Sequence, residues 1–321
     1  MTSRPRLVAL SNLQGVHHPD NETQPAADGV AAARPSAGPP AARVTRAGLL
    51  PAIAGYRIGR LIGEGRAAAV WLADDTGGGK VVLKVLKDAA GHNDMIRQGF
   101  AAECAILSAI RHRHVVRVFG HQAGAEPRYL AMEYLAGGSL RERMRHVISP
   151  AEAVSLLRQA AGGLAAAHRQ GVVHRDVKPE NFLLRVSGEL VLVDFGVAAR
   201  RGDVAASVAA GRLVGTAWYA APEQAQGEPP SAAADVYALG IVFHEMLLGR
   251  RPFAAETVLE AVSQHLVAPV PPLPGALAQY QPLIDRMLEK RPPRRLADAD
   301  AVLQEIHAMA PGQPDNRPLP S

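Results

Sequence analysis

Eight consecutive residues, His174-Arg175-Asp176-Val177-Lys178-Pro179-Glu180-Asn181, followed by Asp194-Phe195-Gly196, restrict this chain more than anything else in it. They put a candidate proton acceptor, a cation and two candidate metal ligands into one short region. A chain carrying them has to fold so that these groups converge, and the set is what transfer of a phosphoryl group from a nucleotide to a hydroxyl needs. Asp176 and Lys178 are two residues apart, so an extended segment turns both side chains to the same side. Pro179 favours that shape by biasing Lys178 away from helical angles.

At 321 residues the chain has room for one large domain or two small ones with ample core. Residues 1–54 are rich in Ala, Pro, Gly and polar residues without a sustained period of 2 or 3.6, and are expected to be disordered. The same holds for the proline-rich tail, 309–321. The folded block between them, 55–308, has no internal repeat. It opens strand-rich: Tyr56 to Ile62 leads into Gly63-Glu64-Gly65. Ala69 to Ala73 and Val81 to Leu86 then flank Gly77-Gly78-Gly79 and read as a hairpin. Phe100, Glu103, Leu107 and Ile110 recur at helical spacing. After Gly137-Gly138 the pattern turns mostly helical. Ala233 to Leu248 is apolar nearly all round and stops at Gly249, as a buried helix closed by a glycine cap would. A strand-rich lobe with a helix (55–135, to the start of a hinge) and a larger helical lobe (136–308) are therefore expected, an α+β, two-lobed architecture.

A net charge of +5 is mild, and the basic residues are scattered rather than striped, which speaks against nucleic acid as a partner. No apolar run approaches the ~20 residues of a membrane span, and Leu7 to Leu10 is too short for a secretory signal. The single cysteine, Cys104, excludes an intrachain disulfide and fits a reducing, cytoplasmic setting. It is expected to be a small core residue rather than a reactive thiol.

Taken together, these motifs resemble the eukaryotic-type (Hanks-type) serine/threonine protein kinases, with a bacterial flavour in the Ala- and Arg-rich composition. The resemblance covers roughly residues 55–308. It implies the two-lobed kinase fold, with ATP and Mg²⁺ or Mn²⁺ as cofactors and protein Ser/Thr hydroxyls as acceptors, the chain itself included. Asp176 matches the aspartate that orients the incoming hydroxyl and takes its proton. Lys178 matches the lysine beside the transferring phosphate, and Asn181 and Asp194 match the metal ligands. Lys84 corresponds to the strand lysine that reaches the phosphates, and Glu103 to the helix glutamate that pairs with it. Gly63, Gly65, Val70, Val82, Lys84, Met132, Glu133, Leu135 and Leu183 fall at nucleotide-binding positions. The chain departs from the family pattern at Ala67 and Ala68 in the glycine-rich loop and at Val82, where alanine is usual; these imply a stiffer loop and a tighter adenine slot. Thr216 matches a threonine that hydrogen-bonds the catalytic aspartate and lysine. Glu223 matches the glutamate that pairs with a late arginine, here Arg295, and Asp235 the aspartate that ties down the catalytic-loop backbone.

Arg175 precedes the catalytic aspartate, and a phosphate on Ser207, the lone acceptor between Val197 and Val214, would be a partner for it; the alternative is that this loop, dominated by small residues, orders unaided. Leu213, Ala217 and Ala220 resemble the pocket for the residue after the phosphoacceptor. Ser139 stands where arginine-directed kinases carry an acidic residue, so selection for upstream arginine is expected to be weak. Exposure alone marks Thr23, Ser36 and Thr45 as further autophosphorylation sites, and the resemblance allows a back-to-back dimer. Two other readings stand beside this one. A nucleotide-binding scaffold is suggested by Ala67, Ala68 and Val82. A small-metabolite kinase is disfavoured by the segment from Gly215 to Glu223.

Overall fold

In β3 (Lys80–Leu86), Val81, Leu83 and Val85 alternate with Val82, Lys84 and Leu86, and apolar residues of both sets are buried. Such a strand needs cover on both faces and neighbours on both edges. In the computed structural model, which describes residues 52–87, 90, 93–200, 217–229 and 231–309, it is the middle strand of five. The others are β1 (Tyr56–Glu64), β2 (Ala68–Asp75), β4 (Val118–Gln122) and β5 (Tyr129–Glu133). The sheet is antiparallel throughout, in the order β1-β2-β3-β5-β4. Asp75 accepts hydrogen bonds from the Gly77 and Gly79 amides and thereby closes the β2–β3 turn.

The outer face of the sheet packs Val81, Leu83, Val85 and Ala73 under Ile53. Ile53 lies within the segment expected to be disordered, yet it is only 5% exposed, and its carbonyl accepts the Tyr56 amide. Ordered chain therefore starts before residue 55, because the outer face of β3 needs an apolar cover. On the inner face lies α1 (Asp94–Ala109), whose N-terminus is capped by Asn93, with side-chain oxygen 3.0 and 3.2 Å from the Met95 and Ile96 amides. Phe100, Glu103, Cys104, Ile106 and Leu107 are its buried residues. Ile110, expected on the same helical face, is buried but caps the helix in an extended conformation.

Backbone hydrogen bonds fix the chain leaving the hinge to the large lobe behind the cleft. Gly137 donates to the Leu184 carbonyl and Leu184 donates back to Gly138, both at 2.8 Å. A Cβ at Gly137 would come within 2.6 Å of the Leu184 and Arg185 carbonyl oxygens, so only glycine permits this approach. Beyond it the large lobe holds α2 (Leu140–Arg143), α3 (Pro150–His168), β6 (Val172–Val173), β7 (Phe182–Leu184), β8 (Leu190–Leu192), β9 (Ala199–Arg200), α4 (Pro222–Ala225), α5 (Ala232–Leu248), α6 (Val258–Val267), α7 (Gln281–Met287) and α8 (Ala299–Ala308). The axis of this lobe is α5. Ser231 caps its start, buried residues occur on every face, and Gly249 ends it at φ 66°. Its near-uniform apolarity leaves no face for water, so α3, α7 and α8 pack around it.

Ser139 is turned inward. It is 2% exposed and forms a reciprocal cap with Glu142 at the start of α2, so it presents no side chain to an acceptor. Among the described residues, no helix is long and apolar enough to cross a membrane.

Candidate active site

Lys84 is the charged residue set among Val82 and Leu86 on the inner face of β3, away from the exposed Lys80 at the strand's start, and α1 brings Glu103 to it. The Lys84 ammonium donates to both Glu103 carboxylate oxygens, at 2.6 and 2.8 Å, and to Asp194 Oδ1 at 3.3 Å. Burial works against a charged lysine here. The carboxylates of Glu103 and Asp194 outweigh it and hold the ammonium above its usual range. Burial likewise opposes the charge on Asp194, but Lys84 keeps that carboxyl below its ordinary value. Cys104, next to the pair, is 1% exposed, and burial followed by the Glu103 charge pushes its thiol up to about 12. It is therefore an inert core residue.

The segment from His174 to Asp176 is fixed from beneath. Asp235, in the first turn of α5, accepts the backbone amides of His174 (2.7 Å) and Arg175 (2.8 Å). Its Oδ2 also lies 3.0 Å from His168 Nε2. The Ala299 amide donates to His168 Nδ1, so Nε2 carries the proton and donates to Asp235. His174 is fully buried, faces the Phe195 ring edge-on at 4.7 Å, and has Nε2 3.1 Å from the Val193 carbonyl. The loop and the Asp194 segment thus share one anchor.

Lys178 is extended (φ −160°, ψ 161°), and a single 3-10 turn, Pro179–Asn181, follows it. Its ammonium reaches both carboxylate oxygens of Asp176, at 2.9 and 2.8 Å. Asn181 Nδ2 donates to the Asp176 carbonyl (2.7 Å) and to Oδ2 (2.9 Å). That leaves the amide oxygen as the ligating atom Asn181 can offer a cation. Arg175 (φ 69°) and Asp194 (φ 60°) both take left-handed backbone angles, a strain that non-glycine residues adopt where surrounding structure enforces it.

An apolar slot leads away from Lys84 toward the hinge. Ile62, Val82, Val116, Met132, Tyr134, Leu135, Leu183 and Val193 line it together with Glu133 and Gly138, and Lys84, Glu103 and Asp194 form its polar end. A flat apolar body with a charged tail fits such a shape. Of the residues assigned from sequence, Gly63, Gly65 and Val70 lie in the hairpin beside the slot rather than in its lining. Gly63 pairs with Val70, and the Gly65 amide donates to Ala68 O at 2.8 Å. Val70 pairs in turn with Lys84. Ile62, Val116, Gly138 and Val193 were missed by sequence reasoning. Two of them directly precede assigned residues, Gly63 and Asp194, and that adjacency was the available signal. The Glu133 side chain is held by Arg185 at 2.6 and 2.9 Å, away from any role in the slot beyond its backbone.

Arg295 meets Glu223, in the first turn of α4, in a two-point ion pair, 2.6 and 2.9 Å. Ala217 and Ala220 are buried nearby. Thr216, Ser207, Leu213, Gly215, Thr23, Ser36 and Thr45 lie outside the described residues.

A model of the protein kinase domain family matches residues 56–307, and the chain belongs to that family. Relatives named serine/threonine-protein kinases share 35–37% of their residues with it. Drp72 of Corynebacterium efficiens is 37% identical over 272 residues, which is 82% of this chain and 52% of the relative. PknA of Corynebacterium glutamicum is 35% identical over 277 residues (84% and 59%). PknA of Mycobacterium tuberculosis is 36% identical over 278 residues (83% and 64%). The chain thus spans little more than half the length of the first two relatives.

Proposed function

We propose that this chain is a serine/threonine protein kinase that moves the γ-phosphoryl group of ATP to protein Ser or Thr hydroxyls, its own among them. The observation that carries the reading is the pairing of Asp176 with Lys178 and Asn181 on the large lobe, with Asp194 of the same lobe reaching across the cleft to Lys84, which Glu103 holds. An acceptor hydroxyl gives its proton to Asp176 as its oxygen bonds to the γ-phosphorus. The bond from that phosphorus to the bridging oxygen breaks, and ADP leaves with the electron pair. Lys178 balances charge on the entering phosphoryl group, and Lys84, held by Glu103, binds the phosphates of the leaving nucleotide.

The divalent cation fits the residues present. Asn181 and Asp194 are hard oxygen donors, and no group of three or more His, Cys, Asp or Glu among the described residues forms a cage of its own. Gly196 keeps the space beside Asp194 open, since a Cβ there would stand 3.2 Å from Asp194 Oδ1. When bound, the cation supplies charge neutralisation for the nucleotide phosphates. A cytoplasmic site of action suits an enzyme that consumes ATP.

The test is incubation of the purified chain with labelled ATP and Mg²⁺ beside Asp176→Asn and Lys84→Met. Label entering the wild type, or a generic protein acceptor, but neither variant supports the reading. Nucleotide binding without transfer to any polypeptide removes it in favour of a scaffold, and label found only on a small metabolite removes it in favour of a metabolite kinase.

A further inference from the structure

A second, polar hollow, lined in part by Lys178 and sharing no lining residue with the nucleotide slot, opens to solvent. Its carboxylates are Glu180 and Glu245, and both face the same internal guanidinium. Arg141 Nε donates to Glu180 Oε1 and Nη1 to Glu245 Oε1, each at 2.7 Å. Tyr219 donates to the second oxygen of Glu245 at 2.6 Å, and Arg141 Nη2 also reaches the Tyr219 hydroxyl. Glu245 therefore has both oxygens engaged from within the chain. Across the hollow, Arg251 lies over the Trp218 ring, 5.3 Å from its centroid. No carboxylate among the described residues pairs with Arg251.

We propose that Arg141 is a built-in occupant of the Glu180–Glu245 pair, and that with Arg251 it sets the acceptor subsite to turn away basic side chains and take acidic ones. This deepens the kinase reading above and rests on it. The hollow adjoins the Lys178–Asp176 pair, so a polypeptide presenting its hydroxyl to Asp176 lays neighbouring side chains across it. An incoming arginine or lysine meets Glu245 with both oxygens engaged and Glu180 with one oxygen already held by Arg141, with the guanidinium groups of Arg141 and Arg251 close by. Like charges at such range repel, and a partly desolvated surface magnifies the effect. An aspartate or glutamate meets Arg251, whose guanidinium is held near the Trp218 ring by a cation–π contact and can take a carboxylate in two-point fashion. Ser139, capped and buried, adds no acidic group to counter this.

A peptide array on the full chain tests the proposal, with Asp, Glu, Arg or Ala placed in turn on each side of a Ser or Thr acceptor. The ratio of kcat/KM for acidic over arginine peptides is expected to exceed about tenfold at one or more positions, the size of one charge-assisted contact. Arg251→Gln lowers that ratio about tenfold, mainly by weakening acidic peptides. Arg141→Met uncovers Glu180 and Glu245 and raises kcat/KM for arginine peptides. A wild type that favours arginine overturns the proposal, as does an Arg251→Gln ratio equal to that of wild type. The second arm also decides the matter if Arg141→Met fails to fold. A chain that labels itself and peptides without any such charge preference loses this inference and keeps the kinase reading; one that labels nothing loses both.

Discussion

Glu223 and Arg295, 72 positions apart, form a two-point ion pair with side chains 3% and 0% exposed. Arg295 also donates to the carbonyls of Ala233, Glu289 and Lys290, so one side chain clamps the start of α5 and the segment just after α7. Its guanidinium carbon lies 4.9 Å from the centroid of the Tyr237 ring. Arg295→Ala leaves Glu223 buried without a counter-charge, along with three unmet carbonyls. The expected loss is about 3–5 kcal/mol of unfolding free energy, read as a drop in denaturant midpoint. Removing both charges, as Glu223→Leu with Arg295→Met, is expected to recover much of that loss; a double variant no better than Arg295→Ala would show that the damage is not electrostatic.

Glu103→Gln keeps the shape of α1 but removes the charge that holds Lys84. The ammonium then leans on Asp194 alone, 3.3 Å away. A positioning role predicts a higher KM for ATP together with a kcat lowered on the order of 10–100-fold, since misplacement of about 1 Å costs that much. Thermal stability measured alongside should change little by comparison. An unaltered KM for ATP would count against the role.

Acid should loosen the large lobe through His265. Burial, and then the positive charge of Lys290, push this imidazole down to about 4, whereas an unfolded histidine titrates near 6.5. Between those values the unfolded chain binds more protons, so stability is fully present above about pH 6.5 and falls as pH drops toward 4, by at most about 3 kcal/mol. His112, His114 and His244 shift downward too and add in the same direction. Unfolding free energy measured between pH 7 and 5 should fall less steeply in His265→Gln than in wild type. Parallel slopes would remove His265 as the cause.

Two helix glycines make opposite predictions. A Cβ at Gly99 meets nothing within 4 Å, so Gly99→Ala should stabilise α1 by about 0.5–1 kcal/mol. At Gly163 in α3 a Cβ would sit 2.5 Å from the His114 carbonyl oxygen, and backbone would have to move. Gly163→Ala is expected to destabilise by about 1–3 kcal/mol despite the better helix former. Equal midpoints for both variants would refute the packing argument.

Local pattern exposes much of this fold. The hairpin around Gly77-Gly78-Gly79 and the buried helix stopped by Gly249 follow from alternation, all-round apolarity and glycine, because each is decided within a few residues. The extended angles at Lys178 follow from Pro179 in the same way. Ile53 was not legible, because a lone isoleucine in an Ala- and Pro-rich stretch carries no period; its burial depends on the outer face of β3. The slot wall at Val116 and Val193 was hidden for a related reason: separate chain segments converge there, and a valine looks the same in any core. Least visible was Arg141. Its partners Glu180 and Glu245 lie 39 and 104 positions away, and nothing in its surroundings distinguishes it from a solvated charge on a short helix.

Asp235 hangs the amides of His174 and Arg175 from the innermost helix of the large lobe. The segment carrying Asp176 is therefore moored to the buried axis of the large lobe, so its place is set by core packing rather than by the loop's own sequence.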